Sequence, residues 1–139
     1  STDHRTAGVW ALACARRVLP HFESRLPEDP RPQKALAVLE EWIRTGEFSM
    51  DRVRSAALAS HAAAREVGED CSARSAARAA GQALSTAHVR THAIAAAAYA
   101  LQAIHRASDP AQAEKQVSEE RDWQRSCLER LVALGRKEA

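Results

Sequence analysis

The 139 residues carry a net charge of +2 with 27% charged side chains, which excludes both the strong basic excess of a general nucleic-acid binder and an acidic mimic of nucleic acid. Alanine supplies 31 residues and much of the 45% hydrophobic content, while aromatics reach only 4%; the length suits one core, and so one domain spanning 1–139. Alanine is the best helix former and lets helix axes approach closely, so the expected class is all-α, a single compact bundle of about six helices with alanine-rich close packing.

Asp3 or Thr6 is the expected cap of a first helix that carries Val9, Leu12, Ala13, Leu19 and Phe22 near one face, and Pro20 should kink or end it. The three prolines of LPEDPRP (Leu26 to Pro32) form a surface connection, and Pro32 suits the first turn of a second helix with Leu36, Leu39 and Ile43 as its stripe and Gly46 at its end. Ser49 starts a third helix, on which Met50, Val53, Ala57, His61 and Ala64 face inward, and Gly68 closes it. A fourth begins near Cys71 or Ser72 and runs through Ala83 or Leu84, with Arg74 and Arg78 on an exposed side.

From Ser72 to Ala107 no strong breaker occurs, yet one straight helix of that length would be roughly 54 Å long. A break is therefore expected near Ser85 and Thr86, helped by Gly81, with either hydroxyl capping a fifth helix that runs to about Ala107 and forms the centre of the bundle. Asp109 and Pro110 start a sixth, striped by Val117, Glu120, Gln124, Cys127, Leu131 and Leu134 and ending at Gly135. The longest apolar run, Ala93 to Leu101, is too short to span a bilayer, STDHRT has no signal-peptide pattern, and the three cysteines are odd in number and far apart; a reduced, cytoplasmic setting is expected.

On the predicted fifth helix His88 and His92 would stand one turn apart on one face. Together with His61 they would make a zinc site, but the glutamate of a metalloprotease motif is replaced by Val89 and Arg90, and the majority reading is hydrogen bonding inside the bundle, with no metal and no cofactor. Arg65, one turn after His61, and Tyr99, seven residues after His92, complete a polar cluster suited to an anionic group; the alternative is that Arg65 pairs with Glu119, Glu120 or Asp122 and ties the last helix down. Trp123, amid the charges of ERDWQRS, is expected to be partly exposed, whereas Trp42 belongs to the core. Ser85 and Thr86 near His88 lack an orienting acid and an oxyanion hole, so they read as caps, not nucleophiles. Arg74, Arg78 and Arg90 read as a solvated face, with no nucleic-acid partner.

Five segments together resemble a known family: WALACARRVLPHFE at Trp10 to Glu23, DPRPQKALAVLEEWIRTGE at Asp29 to Glu47, AALASHAAAR at Ala56 to Arg65, ARAAGQALSTAHVRTHAIAAAAYAL at Ala77 to Leu101, and ERDWQRSCLERL at Glu120 to Leu131. The combination of HAAAR with TAHVRTHA and AAYA is the distinctive part, and the chain is similar in it to the immunity-five-like class of immunity proteins from bacterial polymorphic toxin systems. The family pattern carries over to His61, Arg65, Thr86, His88, His92 and Tyr99. ERDWQRSCLERL departs from it by lacking a proline after the leucine, which leaves the course of the last helix open.

The resemblance implies a helical cytoplasmic protein that binds and neutralises a cognate protein toxin without catalysis; a monomer or homodimer is expected. The alternative is a small-molecule-binding or self-resistance protein that holds an anionic or aromatic ligand between helices. The candidate binding residues for either are His61, Arg65, His88, His92, Tyr99, Trp123 and Glu120. No membrane partner is expected.

Overall fold

Local chemistry sets several of the helix ends. A computed structural model describes residues 2–138, in which six helices follow one another: α1 (Thr2–Glu23), α2 (Arg31–Thr45), α3 (Met50–Glu66), α4 (Ser72–Ser85), α5 (His92–Ala107) and α6 (Ala113–Glu138). Among the described residues there is no strand, so the all-α bundle of six helices is the architecture observed. No helix among them is long and apolar enough to cross a membrane.

The start of α2 is set by Asp29, whose Oδ1 accepts the Arg31 backbone N–H at 3.1 Å, with Pro32 in the first turn. It closes at Gly46, where φ of 73° lies in the left-handed region that glycine adopts without a Cβ penalty. Ser49, in extended backbone, caps α3 by accepting the Arg52 N–H at 3.4 Å. Arg74 finishes the other end of α3 from the next helix: its Nε donates to the Ala64 carbonyl at 3.0 Å and its Nη2 to the Arg65 carbonyl at 3.4 Å. Arg74 and Arg78 are thus only partly exposed, contrary to the expectation of an open side, because α3 packs against that face of α4.

Other boundaries differ from expectation for identifiable reasons. Helix α1 starts at Thr2, so Asp3 sits in its first turn and Thr6 inside it, and the helix runs through Pro20 to Glu23. A proline in the last turn removes little, since the Ser24 and Leu26 N–H groups still reach the Pro20 and Phe22 carbonyls at 2.9 and 2.8 Å. Ser85 and Thr86 do not open a fifth helix. Their hydroxyls turn back four residues to the Gly81 and Gln82 carbonyls, at 3.1 and 3.3 Å, and close α4. Tight turns then carry the chain over residues 86–91, for example from the Ala87 N–H to the Leu84 carbonyl at 3.0 Å, before α5 begins at His92. Asp109 and Pro110 likewise precede a turn, and α6 starts at Ala113 and continues past Gly135 to Glu138.

The centre of the bundle is α4, and the expectation that the fifth helix would hold that place is corrected. Nine of the 14 residues of α4 are buried, and it packs on α1, α2, α3 and α5. Six of those nine are alanines, which is what allows four neighbours to come close to one helix. Phe22, Leu39, Leu84 and Val18 are the largest apolar side chains fully enclosed. Two buried hydroxyls bond across to neighbouring helices: Ser60 donates to the Ala77 carbonyl at 2.8 Å, and Ser75 donates to Gln102 Oε1 at 2.9 Å.

Helix α6 touches only α1 and α5. Arg17 on α1 binds Glu120 through two bonds, Nε to Oε2 at 2.7 Å and Nη2 to Oε1 at 2.8 Å, while its guanidinium lies 3.9 Å from the centre of the Trp123 ring. Trp10 Nε1 donates to the Gln124 carbonyl at 2.8 Å, and Gln124 Nε2 donates to the Ala97 carbonyl at 3.0 Å. The cation that ties the last helix down is therefore Arg17; the pairing expected for Arg65 is not formed, since Arg65 sits exposed on α3, which α6 does not contact.

Candidate functional site

Arg54, Leu58, His61 and Arg65 recur at spacings of four, three and four, so they form one stripe along α3. Opposite them Arg78, Gln82 and Ser85 form a stripe on α4, and the 86–91 turn with the first residue of α5 closes one end. Between these walls is a groove of about 330 Å³, lined by Met50, Val53, Arg54, Ala57, Leu58, His61, Ser85, His88 and His92. Its floor is apolar and its rim carries nitrogen donors and acceptors.

His61 owes its position to a missing side chain. Gly81 lies inside α4, and a Cβ there would come within 2.6 Å of His61 Nε2 and 2.7 Å of Cε1, so the imidazole rests on the α4 backbone. The expected role of Gly81 in breaking the chain is replaced by this close approach. Arg78 Nη1 donates to His61 Nδ1 at 3.1 Å, which requires a lone pair on Nδ1 and places the ring proton on Nε2. Burial, then the charges of Arg78, Arg65 and His92, hold the His61 pKa down to about 4, so the ring is neutral near pH 7.

His92 donates from Nδ1 to Gln82 Oε1 at 2.8 Å, which leaves Nε2 as an acceptor. His88 stands exposed in the turn with its ring stacked on Phe48, centroids 5.9 Å apart and planes 17° from parallel. Because His88 precedes the start of α5, the two histidines do not share one helix face; the turn and the first residue of α5 bring both to the wall of the same groove. Among the described residues no three His, Cys, Asp or Glu side chains gather to hold a metal ion.

The structure brings His61, His88 and His92 to one groove and distributes the other singled-out residues elsewhere. Arg65 is exposed on the α3 stripe one turn past His61. Tyr99 is half-buried on α5 and packs against the core, outside the groove lining. Glu120 and Trp123 belong to the α1–α6 junction, where Trp123 is half-buried. Met50, read as part of an inward stripe, is 43% exposed at the groove mouth, since the first turn of α3 extends beyond the helices that cover Val53 and Ala57. Phe48, Arg54 and Leu58 were not singled out from the sequence, although Arg54 and Leu58 stand seven and three residues before His61 and so on its face.

Two other grooves differ in character. A wider one of about 490 Å³ runs between α1 and α2. The acids on its wall are already paired, Glu40 with Arg16 and Glu41 with Arg52. Another, of about 300 Å³, lies among α1, α5 and α6, with Asp3 and Arg90 both on its wall and Trp10, Ile94 and Val132 inside. Cys14 and Cys127 are buried free thiols; burial first, then Cys127 and Glu120, push the Cys14 thiol up to about 12, so it stays protonated near neutral pH.

A family model described as "Imm-5 like putative immunity protein" matches residues 1–131. No curated protein and no solved structure matches the chain.

Proposed function

This chain belongs to the Imm-5 like family of immunity proteins, and on that premise we propose that it binds a cognate bacterial toxin and neutralises it in a stoichiometric complex, without catalysis of its own. The family match carries the reading: it covers residues 1–131, from α1 into the sixth helix. The interior supports it. The fully enclosed residues are overwhelmingly alanine and other small apolar side chains, and the buried side-chain nitrogens and oxygens of the described residues are all hydrogen-bonded, which leaves the surface as the place where function is expressed. We assign the protein to the cytoplasm of the producing cell, with residues 1–139 acting as one unit.

Growth protection tests this. Expression of the chain should restore growth to cells that make the toxin encoded beside its gene, and the purified pair should form a complex whose protection saturates at a fixed molar ratio. Protection at a small fraction of the toxin concentration would show turnover and defeat the non-catalytic reading. A toxin that neither binds nor is restrained would defeat the immunity reading itself.

A second reading takes the groove itself as the functional site. Its size lies at the lower end of small-molecule pockets, and its apolar floor with a nitrogen rim suits an anionic or aromatic ligand held by His61, His88 and His92. Self-resistance by sequestering such a molecule would then be read as protection in the absence of any protein complex.

A further inference from the structure

Large apolar side chains are left in water just before α3 and along its first half. Phe48 and Met50 are each 43% exposed and Leu58 is 54% exposed, and all three stand at or beside the groove whose wall includes His88. Scattered exposed apolar groups need no explanation, but a group of them around a concavity marks a surface that something else covers.

Charge distinguishes this concavity from the others. The α1–α2 groove carries Glu40 and Glu41, paired with Arg16 and Arg52, beside Arg44, and the α1–α5–α6 groove carries one charge of each sign, so both have carboxylates on their walls. Among the described residues no carboxylate lines the α3 groove, and Arg54 on its wall has no ion-pair partner. Arg65 extends the cationic side along the same stripe. An apolar floor with an unpaired guanidinium above it complements a segment that places an apolar side chain inside and a carboxylate at the mouth.

We infer that this groove is the toxin-facing surface, and that it takes a segment of the toxin in which a large apolar side chain is followed closely by an aspartate or glutamate. The inference rests on the immunity reading above. In the complex the apolar side chain fills the space over Val53 and Ala57, Arg54 pairs with the carboxylate, and the Phe48–His88 stack forms a wall. His92 Nε2, left free by the bond to Gln82, accepts from a backbone N–H of the segment.

The test uses the full chain and the toxin encoded beside its gene. Arg54→Glu and Leu58→Asp alter exposed positions on the groove, and Ile94→Asp alters α5 at a 69% exposed site in a different groove. Each variant is first checked for unchanged helicity and melting temperature. Wild type is expected to bind, the two groove variants to bind at least about tenfold more weakly, and Ile94→Asp to stay within about twofold. Exchanging a toxin carboxylate for arginine should restore binding to Arg54→Glu alone.

Wild-type affinity retained by both groove variants would overturn this inference and leave the immunity reading standing, whereas absence of binding by wild type would overturn both. The dye 1-anilinonaphthalene-8-sulfonate, an apolar body with an anionic head, separates the remaining case. If the dye binds wild type, is lost in Arg54→Glu, and is not displaced by the toxin, the groove serves a small amphipathic anion and the inference fails.

Discussion

Replacing Gly81 by alanine sets two physical effects against each other at one atom. In an exposed helix interior the change would stabilise by about 1 kcal/mol, because alanine loses less backbone entropy. Here the new methyl would lie 2.6 Å from His61 Nε2, 2.7 Å from Cε1 and 3.0 Å from Cδ2, so the ring must swing away. That movement breaks the 3.1 Å bond from Arg78, a charged-donor bond of about 1.5 kcal/mol for a partly solvated pair, and forces an off-rotamer or newly hydrated ring at about 1 kcal/mol more. The loss exceeds the gain by about 1–2 kcal/mol. Differential scanning calorimetry should therefore show a melting temperature lower by roughly 3–8 °C. A double-mutant cycle isolates the cause: in a His61→Ala background Gly81→Ala should become stabilising by up to about 1 kcal/mol, since no ring remains to be displaced. If Gly81→Ala changes stability equally with and without the His61 ring, the close approach is not what governs this site and the reasoning fails.

Acid should weaken the fold through His61. Its pKa is held at about 4 in the folded chain against an ordinary 6.5, so the neutral ring contributes stability in full above pH 6.5 and loses it as pH falls from 6.5 to about 4. Urea titrations at several pH values should show a decline of about 2–3 kcal/mol over that interval that is absent in His61→Ala, and a proton NMR titration of His61 with an ordinary midpoint would contradict it. Arg17→Met strands the Glu120 carboxylate, which is only 8% exposed, and should destabilise by about 2 kcal/mol; because Arg17 itself is 42% exposed, the effect belongs below the range of fully buried pairs. Unchanged denaturant midpoints in that variant would remove the ion pair from the account of how α6 is held. Arg74→Ala should cost about 1 kcal/mol and raise amide exchange at residues 63–68 ahead of the rest of the chain, because the Ala64 and Arg65 carbonyls keep only the Val67 and Gly68 N–H groups, at 3.3 and 3.2 Å, once the guanidinium is gone.

Where a residue's own chemistry decides the backbone, the sequence was informative. The cap at Ser49 and the turn at Gly46 each depend on one side chain and its immediate neighbours, and both occur where expected. Ser85 and Thr86 show the limit of such reasoning: a hydroxyl serves equally to cap the following helix or to bond back to a carbonyl four residues earlier, and the choice is made by how α5 must pack on α4. His88 consequently lies in the turn before α5 and not on the helix face that its spacing from His92 predicts. Arg17 and Glu120 are 103 residues apart, and no periodicity along either helix announces their meeting. The groove was half legible, since the histidines were recognised but Phe48, Arg54 and Leu58 became meaningful only when their surroundings proved open and unpaired.

The placement of α4 has a consequence for the order in which the molecule comes apart. Its amides sit beneath four other helices, so deuterium can reach them only when the whole bundle opens, and their exchange rates should report the global unfolding free energy. Helix α6 rests on α1 and α5 alone, so it should lift away before the remaining five helices separate. The chain should thus possess two cooperative units, a late-opening centre and an early-opening flap, with Arg17, Trp10 and Gln124 as the latch between them.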